Sequence, residues 1–108
     1  MMSNQIKTVD EEWHIASDWC RAYQLQEGVD ISNARAVCKF RDDMDNILAV
    51  ADCHIQDNVI IVEVLGRTNS KVHQFVKKGR YDVFIIIGEH QYKVVMGKLT
   101  IIHDVSMH

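Results

Sequence analysis

Two apolar runs near the C-terminal end of the sequence, separated by a short polar turn, dominate its hydrophobic pattern. They occupy residues 80–104 and are divided by Gly88-Glu89-His90-Gln91. Alternate positions are apolar in both runs: Tyr81, Val83, Ile85 and Ile87, then Leu99 and Ile101. A period of two is typical of strands, and a short glycine-containing gap between strands predicts a hairpin. Phe84 and Ile86 make the opposite face of the first strand apolar too, which indicates a central strand covered on both sides, or covered by a partner.

Alternation also predicts strands upstream of this hairpin. The clearest case is residues 34–42, where Ala34, Ala36, Cys38 and Phe40 alternate with Arg35, Val37, Lys39 and Arg41. This pattern is typical of a half-buried antiparallel strand with a cationic outer face. Further strands are predicted at residues 11–16, 18–26, 47–55 and 59–65, with a solvated turn at residues 42–46. The inward positions of the last two strands are expected to be Ile47, Ala49, Ala51, Cys53 and Ile55, and Ile60, Val62 and Val64.

One segment, residues 66–79, departs from the strand pattern. Its apolar residues Val72, Phe75 and Val76 recur at i, i+3 and i+4, which is the spacing of one helix face. Its flanks carry the signals of helix ends: Asn69 or Ser70 can cap its start, Lys77 and Lys78 lie in its last turn, and Gly79 follows it. These features predict a short crossover helix near residues 70–78.

Together the segments predict an all-β protein, an antiparallel β-sandwich of about seven strands with that one helix; the pattern leaves a barrel open. Residues 1–10 have few apolar positions and are expected to form an N-terminal arm, free in solution or ordered only against a neighbouring molecule. Residues 11–105 are expected to form the single domain, followed by a tail at residues 106–108.

Composition narrows the function. The chain has 108 residues, 47% of them hydrophobic, and a net charge of −3. The small acidic charge, with no basic cluster beyond Lys77 and Lys78, argues against nucleic acid and anionic membranes as partners. The first twenty residues lack the apolar core of a signal peptide, and no run approaches the roughly 20 apolar residues of a membrane helix. We therefore expect a protein made in the cytoplasm, with three reduced cysteines.

The residues that could carry chemistry do not form a recognisable motif. The six histidines show no metal-binding spacing, and a zinc site joining His54 and His103 across strands would need further ligands. Cys20, Cys38 and Cys53 fall on what looks like the apolar side of their strands, as small buried hydrophobes do. The acids at residues 42–45 depart from a calcium loop because Ile47 replaces a ligand position. We predict no enzyme activity, no cofactor and no metal.

Large apolar side chains placed opposite the expected core are the more informative feature. Aromatic and aliphatic residues at such positions are typical anchors of protein–protein interfaces. The predicted partner interface consists of Trp13, Trp19, Tyr23, Val37, Phe84 and Ile86.

The order of short motifs resembles a known family. The motifs are Asp18-Trp19-Cys20-Arg21-Ala22, Val29-Asp30-Ile31-Ser32, Arg41-Asp42-Asp43, Asn58-Val59-Ile60-Ile61, Gly79-Arg80-Tyr81-Asp82-Val83 and Met96-Gly97-Lys98-Leu99-Thr100-Ile101. This series, spanning residues 17–103, resembles the small immunoglobulin-like (Ig-like) β-sandwich of bacteriophage virion proteins, such as the N-terminal domain of baseplate upper proteins. The sequence departs from that pattern at Ser17, where the family has Gly, and at Ser32-Asn33, where it has Thr-Gly.

The resemblance implies a non-enzymatic structural or accessory protein of a phage particle, located in the virion at the head, neck, tail or baseplate. Its partners would be other virion proteins and copies of itself. The alternative is a small soluble intracellular interaction module, or a regulatory partner of bacterial or phage origin, that uses the same apolar face. A small enzyme or ligand-binding sandwich is a third class, but it would need polar groups converging in a pocket, which the pattern does not indicate.

Overall fold

The computed structural model describes residues 6–25, 30–66 and 72–103, and these residues form strands, turns and no helix longer than a single turn. The strands are β1 (Lys7–Thr8), β2 (Glu11–His14), β3 (Trp19–Gln24), β4 (Arg35–Asp42), β5 (Ile47–Gln56), β6 (Val59–Val64), β7 (Lys78–Ile87) and β8 (His90–Ile102). The prediction of an all-β protein is confirmed.

The strands join into one mixed sheet that curls into a half-barrel. Their order is β1-β8-β7-β4-β5-β6-β3, and β2 also pairs with β8. β1 and β2 run parallel to β8, whereas all other pairs are antiparallel. β5 carries the curl, because its first half pairs with β4 and its second half with β6. The predicted antiparallel sandwich of seven strands is therefore not confirmed.

The predicted C-terminal hairpin is present as β7 and β8. Its turn is shorter than expected, since Ile87 already pairs with His90 and only two residues lie between them. Gly88 begins this turn with a φ of 60°, a conformation that glycine adopts without steric cost at the first position of a two-residue turn. The inward positions are buried as the alternation predicts, including Tyr81, Val83, Ile85, Leu99 and Ile101.

Five aromatic rings form the centre of the core inside the curl. They are Trp13, Trp19, Tyr23, Phe40 and Tyr81, and none is more than 4% exposed. Phe40 packs edge-to-face against both tryptophans: its ring centroid lies 4.8 Å from that of Trp13 and 5.1 Å from that of Trp19. Such edge-to-face pairs contribute about 0.5–1.5 kcal/mol each beyond the burial of apolar area. These rings join β2 and β3, at the two ends of the sheet, to its middle.

The orientation predicted for β3 is wrong. Trp19 and Tyr23 point into the core, whereas Cys20 is exposed. Burying two aromatic rings removes far more apolar area from water than burying a cysteine and an alanine, so the larger side chains take the inner face. Arg21 shares this inner parity and lies at the rim, where it bonds with Glu11.

The predicted crossover helix is also wrong for the part of residues 70–78 that the structure describes. Val76 closes a turn onto His73, and β7 already begins at Lys78. The carbonyl of Lys77 accepts a hydrogen bond from the Ile101 amide, so pairing with β8 extends up to this point and overrides the local helical spacing. The predicted cap residues 69–70 lie outside the described residues.

The N-terminal segment from residue 6 onwards packs on its own domain, contrary to the expected free arm. β1 and β2 follow β8 in parallel, and the Val9 amide donates to the carbonyl of Met96 at 2.9 Å. Gly97 makes this approach possible, because a Cβ at that position would overlap the carbonyl oxygen of Val9. Residues 1–5 of the predicted arm and the predicted tail 106–108 lie outside the described residues.

Candidate functional site

The structure divides the predicted interface residues into two groups. Trp13, Trp19 and Tyr23 are core residues, so their predicted exposure is wrong. Val37, Phe84 and Ile86 are partly exposed and come together on the side of the sheet away from the core. They line one groove of about 450 Å³ with Lys39, Arg41, Asp82 and Gln91. The interface role of these three residues stays a prediction.

We call this side the outer face, and the strand register arranges its side chains in four rows. The rows are Arg35-Ile86-Gln91, Val37-Phe84-Lys93, Val50-Lys39-Asp82-Met96 and Ile47-Arg41-Arg80-Lys98. Apolar side chains occupy its middle, and several are well exposed, Val50 by 62% and Met96 by 39%. In the described chain no strand packs across these rows, so the groove is open to solvent.

The outer face is strongly cationic in these rows. It collects half of the chain's 12 lysines and arginines, namely Arg35, Lys39, Arg41, Arg80, Lys93 and Lys98. Asp82 is the single acid within the four rows as described. We call this surface on β4, β7 and β8 the cationic half. Its charge is opposite in sign to the net −3 of the whole chain.

Asp82 pairs with two of the cations of this half. One carboxylate oxygen lies 3.5 Å from Arg41 and the other 3.8 Å from the Lys93 ammonium. Lys93 also lies 5.5 Å from the centre of the Phe84 ring, a cation–π contact that covers part of that ring. The turn residue Asp45 pairs with Arg41 and Arg80 at one end. These partly exposed ion pairs orient the side chains but add little stability.

The same side of the sheet becomes acidic beyond β5. Asp52 lies directly opposite Glu63 across β5 and β6, and Glu63 lies opposite Cys20 of β3. The two acids form no ion pair within the described chain. Like charges at directly opposite positions destabilise a sheet. We call Asp52 and Glu63 the acidic half; they line a second groove of about 310 Å³ with Val50 and Leu65.

A partly buried polar cluster forms where side chains join the edge strands β2 and β3. Glu11 accepts hydrogen bonds from Arg21 Nε and from the Tyr23 hydroxyl, each at 2.9 Å, and Trp19 Nε1 donates to the carbonyl of Glu12 at 3.1 Å. We call this set the edge link. The Tyr81 hydroxyl lies 3.3 Å from that of Tyr23 and donates to the carbonyl of Val9.

The edge link contains titratable groups, but its hydrogen bonds stabilise the fold rather than arrange a reactive site. Burial raises the pKa of Tyr23 far above its ordinary value and that of Tyr81 to about 12. Both hydroxyls therefore stay protonated at neutral pH. Each donates its only hydrogen to an acceptor of the N-terminal segment, Glu11 or the carbonyl of Val9. The arrangement holds that segment against the core.

The Cys38 and Cys53 thiols lie close enough to interact, whereas Cys20 is exposed on β3. Burial raises the pKa of Cys38 well above its ordinary value and that of Cys53 to about 11, so both thiols are protonated at neutral pH. His103 donates through Nε2 to the carbonyl of Val76 at 2.7 Å. Over residues 6–25, 30–66 and 72–103, no three His, Cys, Asp or Glu side chains are grouped so that they could hold a metal ion.

Comparisons with known proteins do not assign the chain to a family. No family model matches its sequence, and no curated protein matches it significantly. Within the described ranges, no helix has the length and apolar character needed to cross a membrane.

Sequence reasoning identified part of this site. The alternation of β4 indicated a cationic outer strand face, and Phe84 and Ile86 were recognised as a second apolar face. It missed Asp82 and Gln91, which line the groove, and Lys93, which lies over the Phe84 ring because β8 pairs with β7. It also placed Ile47 inward. A bulge between Arg41 and Phe40 shifts the register, so Ile47 lies opposite Arg41 and is 54% exposed.

Proposed function

We propose that this protein is a non-enzymatic structural component of a bacteriophage particle that docks onto other proteins through its outer face. The observation that carries the docking role is the open apolar groove of Val37, Phe84 and Ile86, rimmed by Lys39 and Arg41. Apolar anchors at the centre with charged groups around them are the usual anatomy of a protein interface. The assignment to a phage particle is supported by the sequence resemblance over residues 17–103, which also favours relating the curled sheet to the Ig-like β-sandwich.

The cost of leaving this face uncovered supports the same proposal. A domain of this size leaves single apolar residues on its surface without consequence, but grouped ones mark a site of contact. Val37 lies opposite Phe84 in the register, and Ile86 follows on the same face one row away. Because no described strand crosses these rows, the cover would come from another molecule.

The test compares two phenylalanine substitutions, one inside the groove and one outside the four rows, so that a loss of docking can be told from a loss of folding. Phe84→Ser removes the central anchor of the groove, whereas Phe75→Ser changes a ring that is 75% exposed and outside the four rows. Epitope-tagged variants are expressed in the host during phage production, and particles are banded on a density gradient. Wild type and Phe75→Ser are expected in the particle band, and Phe84→Ser at the top of the gradient.

Thermal unfolding of the purified variants completes the test. Phe84 is only partly buried and makes one cross-strand and one cation–π contact, so its loss should cost about 1–2 kcal/mol, less than truncating a core phenylalanine. Equal banding of both serine variants would refute docking through this groove. If wild type itself stays out of the particle band and instead forms a discrete complex with a host protein, the interaction-module alternative replaces the phage assignment.

A further inference from the structure

We infer that the outer face docks onto a second copy of this chain, with the cationic half of each copy placed on the acidic half of the other. This inference rests on the proposed docking function and names one occupant of the same surface. Both halves lie on one side of one sheet, on either side of Val50. Lys39 lies opposite Val50 in the register, and Asp52 follows Val50 by two positions on the same face.

The first argument is charge complementarity within a single copy. The cationic half carries six basic residues against Asp82 and the turn residue Asp45, which pairs with two of them, whereas the acidic half carries Asp52 and Glu63. A partner with no charge pattern would satisfy neither half. A second copy related by a two-fold axis brings each half onto its opposite, because in such an interface residue i meets j and residue j meets i.

The second argument is the acid pair itself. Asp52 and Glu63 face each other across neighbouring strands, and within the described chain no lysine or arginine pairs with them. That arrangement is unfavourable in an isolated copy. A lysine from the opposing cationic half would remove the repulsion, and the groove beside the pair, lined by Leu48 and Val50, has room for its aliphatic stem.

The third argument concerns the side chains between the two halves. Val50 is 62% exposed and Ile47 is 54% exposed, and both lie on the outer face at the β5 end of the two rows that contain Lys39 and Arg41. In a two-fold contact these aliphatic side chains lie close to the axis and bury each other. Nucleic acid would contact the cations but leave these aliphatic side chains exposed to water. The four rows also contain a single aromatic ring, Phe84, so this surface offers little for stacking on bases.

The experiment is a charge swap read by sedimentation velocity, from micromolar to millimolar protein, at low and at high salt. Wild type is expected to dimerise, more weakly at high salt. Lys39→Glu and Asp52→Lys should each weaken dimerisation by about a hundredfold, because every substitution occurs twice in a two-fold interface and each close charge pair contributes about tenfold. An equimolar mixture of the two variants should form a heterodimer, since the carboxylate introduced at position 39 of one chain then meets the ammonium introduced at position 52 of the other.

Asp52→Lys also separates docking from folding. It replaces a like-charge pair with an opposite-charge pair next to Glu63, so its thermal stability is expected to be unchanged or higher while its dimerisation falls. Loss of both together would mean that the substitution acts on the fold and would overturn the inference. So would a mixture of the two charge variants that stays monomeric.

Two outcomes assign the surface differently. A wild-type protein that remains monomeric at millimolar concentration, but still enters particles in a Phe84-dependent way, refutes the self-association and leaves the proposed docking function in place. Fluorescence anisotropy with a labelled DNA duplex covers the remaining class of partner. Tight binding of that duplex by a monomeric wild type, abolished by Lys39→Glu, would assign the cationic half to nucleic acid and overturn the inference.

Discussion

Replacing Glu11 with alanine tests whether side chains, rather than main-chain pairing, hold the two edges of the curled sheet together. β2 and β3 are not hydrogen-bonded neighbours in the sheet. Glu11 nevertheless joins them, because its two carboxylate oxygens accept from Arg21 and Tyr23 at 2.9 Å each. Its side chain is 12% exposed, so water replaces these contacts only in part.

Glu11→Ala is expected to lower the free energy of unfolding by about 2 kcal/mol. A hydrogen bond to a charged acceptor contributes about 1.5–3 kcal/mol, and the Tyr23 hydroxyl recovers part of this by turning towards Tyr81, 3.3 Å away. The Arg21 ion pair adds no more than about 1 kcal/mol, since the arginine side chain is 39% exposed. For a domain of this size, that loss lowers the melting temperature by roughly 8–12 °C. Glu11→Gln keeps an acceptor for Tyr23 and should lose about half as much.

Urea unfolding followed by tryptophan fluorescence measures the effect, since both tryptophans are buried beside the edge link. Glu12→Ala is the matched control. Its side chain is 68% exposed, and the edge link uses only its backbone carbonyl, so its stability should stay within about 0.5 kcal/mol of wild type. Equal stabilities for the Glu11 and Glu12 alanine variants would refute the role given to the edge link.

Three further predictions follow from the packing. Gly97→Ala should destabilise the protein by about 2 kcal/mol or more in thermal melts, because the added methyl group overlaps the carbonyl of Val9. An unchanged melting temperature would contradict the close packing of β1 on β8. A thiol reagent at neutral pH should label exposed Cys20 first and buried Cys38 only when the protein unfolds. Cys20→Ser should remove the fast labelling phase. Fast labelling of that serine variant would contradict the placement of the thiols. The free energy of unfolding should fall as pH rises from 10 to 12. In the unfolded chain both tyrosines have their ordinary pKa of 10.0, whereas in the folded protein the pKa of Tyr81 is about 12 and that of Tyr23 is higher still. The slope should be about 1.4 kcal/mol per pH unit for each tyrosine, and Tyr23→Phe should reduce it.

Segments with strict alternation were predictable from the sequence. In β4 and β7 one parity is almost wholly apolar, so burial of Phe40, Val83 and Ile85 follows from the period of two alone. The second apolar face of β7 could be recognised for the same reason, since Phe84 and Ile86 leave that strand without a polar side. Five of the seven residues that line the groove could therefore be predicted from the alternation of β4 and β7.

The errors arose where distant contacts outweigh local pattern. In β3 the face that carries Trp19 and Tyr23 also carries Arg21; Glu11, ten positions earlier, pairs with that arginine at the rim. At Val76 the spacing is helical, but pairing with β8 around Ile101 extends the strand. No local signal marks either partner.

Only part of the charge segregation could be predicted, because alternation places Arg35, Lys39 and Arg41 on one face of β4 but the other three cations join them only through the fold. The six cations of the cationic half are scattered from Arg35 to Lys98 and never form a run in the sequence. Antiparallel pairing of β4, β7 and β8 brings them onto one face. A weakly acidic chain thereby acquires a basic surface, so its net charge does not describe the charge of this face.

Hydroxyl-radical footprinting of the protein, free and in its assembled state, tests the central claim most directly. The chain offers two matched pairs of probes: Phe84 and Met96 on the outer face, and Phe75 and Met44 outside the four rows. Docking through the outer face predicts that oxidation of Phe84 and Met96 falls on assembly, while Phe75 and Met44 react as before. Protection of Phe75 and Met44 with Phe84 and Met96 unchanged would contradict the account.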